Sequence, residues 1–272
     1  MQHPRLMAVL AHPDDESLGF GGTLAKYAAG GADVFLLTAT RGDAGRYRGH
    51  RPGDPEHPGS VALATIREAE LRAAAAVLGL REVSVLDYAD RYLDTVNPQE
   101  AIASIVAHLR RVRPDVVLTF GPDGAYGHPD HIAICQFTTA AVVSAASRDD
   151  TGTAAPPHAV SKLYYIAWPA ATWAAYEAAI GRLSSAVDGV DRYATPWPDW
   201  AITTEIDARD FCSTVSRAIS CHESQVAVHA RLKDLPQEHQ EALWGRQSFY
   251  RALSTVNGGR LREKDLFEGI AR

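Results

Sequence analysis

The chain has 272 residues, 46% of them hydrophobic, and a formal net charge of -6. That length suits one large α/β domain or two small ones, with enough apolar side chains for a sizeable core. The acidic balance, without a basic stripe, argues against a nucleic-acid partner, and no segment approaches the roughly 18 apolar residues of a membrane helix. The N-terminus carries no signal-peptide pattern. Cys135, Cys212 and Cys221 form neither a close metal-binding pair nor a disulfide framework, so a cytoplasmic protein with reduced thiols is expected.

Leu6 to Ala11 is an apolar run that reads as a buried strand, and it breaks into His12-Pro13-Asp14-Asp15-Glu16. Gly19 to Ala29 reads as a helix stopped by Gly30-Gly31, and Ala32 to Thr38 as a second strand. Strand, helix and strand within about 35 residues make a βαβ unit, which predicts a parallel sheet with right-handed crossovers. Thr40 to Ser60 is rich in Gly, Pro and charge and too long for an ordinary connection. It leaves the same strand end as His12, so it is expected to border a substrate pocket. Val61 to Leu78 is a helix closed by Gly79, Val83 to Leu86 a short strand, and Pro98 to Val112 a helix capped by Asn97. Asp115 to Phe120 is apolar on both faces, as central parallel strands are, and runs into Gly121 to His131. A helix is expected from Ile132 to about Ser147, then an exposed loop over Arg148 to His158. Lys162 to Trp168 and Ile202 to Ile206 read as strands, and the Trp/Tyr-rich stretch between them has no clear pattern. Asp207 is expected to cap a helix over Ala208 to Cys221. From Glu223 on, the chain reads as mostly helical and amphipathic, ending in a Gly258-Gly259 turn.

In an open α/β sheet, ligands gather at the carboxyl ends of the strands. His12, Asp14 and Asp15 follow strand one, and His128, Asp130 and His131 follow strand four, so both clusters lie on one edge of the sheet. Two imidazoles and a carboxylate, with a position left for water, have the ligand count of catalytic zinc. Zinc lowers the pKa of bound water from about 15.7 to about 7. A carboxylate beside that water can take its proton, and an imidazole off the metal can stabilise an oxyanion or protonate a leaving group. The inventory suits hydrolysis of an acyl or amide bond. Ferrous iron or cobalt suits the same ligands.

A-H-P-D-D-E near the N-terminus with G-H-P-D-H near the middle resembles the LmbE-like (PIG-L) family of zinc N-deacetylases. Its members remove acetyl from N-acetylglucosamine in glycosylphosphatidylinositol, mycothiol and bacillithiol precursors and in some antibiotics. The resemblance covers roughly Arg5 to Gln225. It implies a single domain over residues 1–272: an α/β, Rossmann-like, mainly parallel sheet with helices on both faces and the active site at the C-terminal strand ends. It also implies zinc on His12, Asp15 and His131, with Asp14 as general base. His128 matches the imidazole that, protonated, stabilises the oxyanion and protonates the leaving amine, and Asp130 the carboxylate that orients and charges it. Tyr126 falls where some members place a hydroxyl near the tetrahedral intermediate. Arg67 matches an arginine that reaches the sugar, against the plainer reading of a helix-surface ion pair with Glu70 or Glu68. In the loop R-G-D-A-G-R, where relatives often carry G-E-x-G, Asp43 stands in for the family's acidic residue. His222 to Gln225 (H-E-S-Q) resembles a recurring family segment and is assigned no chemistry, a helix-packing role being as good an account. No motif beyond Gln225 matches the mycothiol-pathway enzyme. The implied partner is a small amino-sugar substrate, an N-acetylglucosamine-type sugar or its glycoside. A homo-oligomer is compatible with the sequence.

Three rival readings fare worse. A dinucleotide-binding fold would need a third glycine at Leu24 and an acidic residue at Thr38, and three carboxylates stand where a pyrophosphate would lie. A metal-dependent phosphoesterase usually needs ligands for two metals. A non-catalytic sugar-binding protein has no use for Asp14 beside the ligands.

Overall fold

Leu6 to Leu10 are all but fully buried, and they form β1 (Arg5–Leu10) at the centre of a seven-stranded sheet. A strand covered on both faces has no polar face to alternate, which is why this run reads as continuous apolar sequence. The computed structural model describes residues 3–148, 155–187, 189–225, 230–232, 235–256 and 261–271.

Beside β1 lie β2 (Asp33–Thr40), β3 (Glu82–Tyr88), β4 (Val116–Thr119) and β5 (Lys162–Ile166), all parallel. A small separate hairpin pairs β6 (Ser184–Val187) with β7 (Val190–Tyr193). The main sheet is completed by β8 (Thr204–Asp207) and β9 (Arg246–Ser254), in the order β3-β2-β1-β4-β5-β9-β8. The chain steps outward from β1 to β3 and then returns past β1 to β4. With right-handed crossovers, this reversal puts successive helices on opposite faces and opens a crevice between the ends of β1 and β4.

The helices follow that rule. On one face α2 (Gly21–Ala29) and α3 (Ser60–Leu78) pack with α8 (Cys212–Cys221). On the other, α4 (Pro98–Val112) packs against α6 (Pro129–Ala146). Further helices among the described residues include the short turns α1 (Asp15–Leu18) and α5 (Gly124–Gly127), then α7 (Ala170–Ile180) and α9 (Gln237–Trp244). No helix among the described residues is long and apolar enough to cross a membrane.

Four expectations need correction. The chain after Glu223 is not mostly helical: nine of its residues form β9, antiparallel to β5 on one side and β8 on the other. Arg-Gln-Ser-Phe-Tyr-Arg-Ala-Leu-Ser has no β-branched residue, so pairing on both edges decides its conformation rather than local propensity. Asp207 ends β8, and its carboxylate accepts the Arg209 amide (3.2 Å) at a short 3₁₀ turn, Arg209–Phe211, so α8 starts only at Cys212. The helix expected from Ile132 begins three residues earlier, with Pro129 at its first position and the His128 side chain accepting the Asp130 amide. The unpatterned stretch before Ile202 holds α7 and the β6–β7 hairpin. The Gly258-Gly259 turn and residues 149–154 of the expected Arg148–His158 loop lie outside the described residues.

Candidate active site and metal centre

Two chain breaks at the β1/β4 crevice build the site. After β1 the chain turns at Asp14, whose φ of 114° is a conformation L-residues rarely adopt. That turn sends Asp15 back toward the strand end, where its Oδ2 accepts the backbone amides of Ala11 (3.2 Å) and His12 (2.8 Å). After β4, Gly121 to His128 is kinked at Ala125 (φ 64°), and α6 then starts abruptly, placing His131 in its first turn. The His131 ring is stacked flat on Phe120, with centroids 3.8 Å apart, and so is fixed in orientation.

Three side chains bring four lone-pair-bearing atoms together in the crevice. His12 Nδ1 lies 3.2 Å from His131 Nε2, His131 Nε2 lies 3.4 Å from Asp15 Oδ1, and His12 Nδ1 lies 3.6 Å from Asp15 Oδ2. A tetrahedral ion held at about 2.0–2.2 Å has ligand-to-ligand edges of about 3.3–3.6 Å, close to the His12–His131 and His131–Asp15 separations, and the three residues could hold one metal ion. The surrounding charge agrees. Burial disfavours a positive His12, yet hydrogen bonds to Asp130, Asp15 and Asp90 outweigh it and raise the imidazole well above its ordinary range. Asp15, although buried, is held well below the usual carboxylate range by His131 and His12. The cluster is built to face a cation.

The far side of His12 is fixed with equal care. Its Nε2 lies 3.0 Å from Asp130 Oδ2 and 3.3 Å from Asp90 Oδ1. Asp130 is itself held by the backbone amides of Arg91 (2.7 Å) and Leu93 (3.1 Å), and Asp90 accepts the Ala44 amide (3.1 Å). Burial works against it, but the His12 hydrogen bond and charge, the Arg67 charge and the Ala44 amide together bring Asp90 down to about 2. A carboxylate on one imidazole nitrogen orients the other toward a metal. The Asp130 carboxylate hydrogen-bonds His12 and acts on His128 through its charge, while its backbone amide donates to His128 Nδ1 (3.2 Å). That bond leaves the His128 proton on Nε2. Burial and the charges of His131 and His12 push His128 down to about 3.

The triangle opens into a cavity of about 240 Å³. Asp14, Arg67, Tyr126 and His128 line it, as do Asp90 and an apolar wall that includes Leu18, Trp168, Tyr176 and Ile180. Burial, partly offset by the Arg67 charge, pushes the Asp14 carboxyl up to about 6. Arg67 is buried in α3, not paired with Glu68 or Glu70 on its surface. It donates to Asp14 Oδ2 (3.1 Å), to Gly42 O (3.0 Å) and, closely, to Pro13 O. Gly42 (φ 65°) must be glycine, because a Cβ there would run into the Arg67 guanidinium. The loop after β2 does border the cavity, through Gly45. Asp43 does not join it: its carboxylate accepts the Asp90 amide (3.3 Å) and it lines a separate surface hollow with Arg41 and Asp87. Asp90 is the residue the sequence reading missed. It follows β3 on the same edge as the two clusters, which was the available signal.

Comparison with known proteins agrees with this arrangement. A family model described as PIG-L, GlcNAc-PI de-N-acetylase, matches residues 7–142. The chain is 38% identical over 249 residues to the 1D-myo-inositol 2-acetamido-2-deoxy-alpha-D-glucopyranoside deacetylase of Rhodococcus opacus, covering 84% of each. Its fold is similar to that of the N,N'-diacetylchitobiose deacetylase of Pyrococcus horikoshii (TM-score 0.67, 19% identity, 91% of this chain and 83% of that one). It is similar also to the fold of the 4-carboxy-2-hydroxymuconate hydratase of Pseudomonas putida (TM-score 0.68, 16% identity, 94% and 99%). A hydrolase and a hydratase thus share this backbone, so chemistry has to be argued from the site. The extent of the family match and the identity to the Rhodococcus enzyme establish that this chain belongs to the PIG-L (LmbE-like) family.

Proposed function

We propose that the protein is a zinc-dependent hydrolase that removes the N-acetyl group from an N-acetylglucosamine-type amino sugar or its glycoside, residues 1–272 acting as one cytoplasmic domain. The observation that supports it most is the His12–Asp15–His131 triangle, able to hold a metal ion and opening onto a cavity that also carries Asp14. Zinc held there would supply hydroxide near neutral pH and polarise the amide carbonyl.

The remaining work falls to side chains. Asp14, with a pKa near 6, is matched to accept a proton from the attacking water at neutral pH. Arg67 keeps that carboxylate in one orientation and offers the sugar a cation at the cavity wall. His128 donates its Nε2 proton as a hydrogen bond to the carbonyl oxygen as negative charge grows there. Tyr126, a phenol kept neutral by burial, lines the same wall. Asp14 then gives its proton to the departing amine. The carbonyl carbon thereby gains hydroxyl from water and the nitrogen gains hydrogen. The apolar wall of Leu18, Trp168 and Tyr176 packs the sugar or the acetyl methyl.

The test is direct. Zinc-loaded protein is incubated with N-acetylglucosamine, with 1D-myo-inositol 2-acetamido-2-deoxy-alpha-D-glucopyranoside and with other glycosides, and acetate and primary amine are measured. Equal release of both is expected. Cleavage of a phosphate ester with no acetamide turned over would overturn the reading.

A further inference from the structure

The segment His222 to Gln225 carries no assigned chemistry, yet it closes over the most strained point of the site. Asp14, at φ 114°, is in a strained backbone state that persists only where its surroundings enforce it. One of the groups that enforces it is the Glu16 side chain, whose Oε2 accepts the Asp14 backbone amide at 2.9 Å. Glu16 is fully buried, and its other oxygen accepts Ser17 Oγ (2.5 Å) and meets His222 Nε2 at 2.8 Å. His222 is likewise fully buried and arrives from the end of α8, 206 residues later in the chain.

The turn that carries His222 is anchored on two further sides. The Ser224 amide and hydroxyl both donate to Glu70 of α3 (2.6 and 2.7 Å). Gln225 Nε2 donates to Arg46 O (2.8 Å), and Ser224 O accepts the Arg48 amide (2.6 Å), so the loop after β2 is held as well. Asp15 depends on a different support, the Ala11 and His12 amides at the end of β1. The two neighbouring carboxylates are thus set by separate parts of the chain.

We propose that His222, acting through Glu16, is a positioning residue that fixes the strained Asp14 backbone and so aims its carboxylate, without supporting the metal ligands. This rests on Asp14 being the proton acceptor of the proposed reaction. Zinc-loaded wild type is compared with His222→Phe, His222→Gln and Glu16→Gln in kcat, KM, zinc per chain and hydrogen exchange of a peptide spanning Leu10 to Leu24. His222→Phe is expected to lose about 10–100-fold in kcat, with KM within about threefold. It should keep zinc near wild-type occupancy and exchange faster in the peptide that holds the Asp14 amide. His222→Gln, whose amide can still donate to Glu16, should recover most of the rate. Glu16→Gln, whose oxygen can still accept the Asp14 amide while its NH2 faces His222, should lose more than twofold but less than His222→Phe. The proposal falls if kcat and exchange stay within about twofold of wild type, or if zinc is lost in proportion to activity. Should His222→Phe fail to fold, the other two variants decide by the same criteria. A wild type inactive on every acetamido sugar would sink the deacetylase reading instead, while zinc content and exchange would still report on the clasp.

Discussion

Two of the charged clusters buried among the described residues lie at opposite edges of one sheet, and they are built on contrary principles. At the start of β5, Lys162 and Glu263 are sealed from solvent. Both Glu263 oxygens are filled: Oε1 by Lys162 Nζ and Arg251 Nη1 (2.7 Å each), Oε2 by Tyr164 Oη (2.7 Å) and Thr204 Oγ1 (2.8 Å). At the ends of β1 and β4, His12, Asp15 and His131 aim lone pairs at one another beside a cavity. Backbone strain separates the two as well. Among the described residues five non-glycine residues have positive φ, and three of them, Asp14, Arg91 and Ala125, stand in the loops of the crevice. Buried charge is therefore no mark of a site. Converging acceptors, strain and open space together are.

The comparison breaks first at His131. His131→Ala leaves two donors where three define the triangle, so zinc measured after dialysis should fall to a small fraction of one per chain. Turnover should drop on the order of 10⁴-fold. Full zinc occupancy in that variant would show the triangle is not the metal site. Next in size is Asp14→Asn, expected to keep its zinc and lose roughly 10²–10⁴-fold in kcat. Loss of zinc would make Asp14 a ligand and not a base. The pH profile carries the sign: the carboxylate must be charged to accept a proton. In wild type kcat/KM should therefore rise with pH through about 6 and then level off. In Asp14→Asn that acid limb should disappear.

Why one cluster was legible in the sequence and the other was not has a physical basis. His12, Asp14, Asp15, His128, Asp130 and His131 are polar residues crowded at the ends of apolar strands, and a parallel sheet brings strand ends together. The family resemblance assigns Asp130 to His128, its neighbour in the chain. The side chain hydrogen-bonds His12, 118 residues away, fixed by the amides of Arg91 and Leu93. Asp90 stands alone in Ala-Asp-Arg, and only the strand order makes it a neighbour of His12. Glu263 and Lys162 were invisible for the same reason, being 101 residues apart and joined through β9, a strand without strand-like sequence.

Asp90 measures how far the open cluster depends on its outer support. Asp90→Asn keeps the shape but removes a negative charge 3.3 Å from His12 Nε2, while Asp130 remains. Zinc affinity from competition with a chelator should weaken about 10-fold, and kcat by no more than about 10–100-fold. An effect as large as that of His131→Ala would mean Asp90 belongs to the triangle itself.

The closed cluster gives the smallest effect on activity and the sharpest contrast. Glu263→Gln removes the anion from between the buried Lys162 and the half-buried Arg251. Breaking a buried pair in this way costs about 3–5 kcal/mol. For a chain of this size that should lower Tm by roughly 6–20 °C in calorimetry. Well below the new Tm, zinc content should equal wild type and kcat should stay within about twofold, because the cluster lies at the start of β5 and the crevice at the far ends of β1 and β4. A loss of zinc or of kcat in the folded variant would show that the two edges are coupled, and that the filled cluster helps hold the open one in shape.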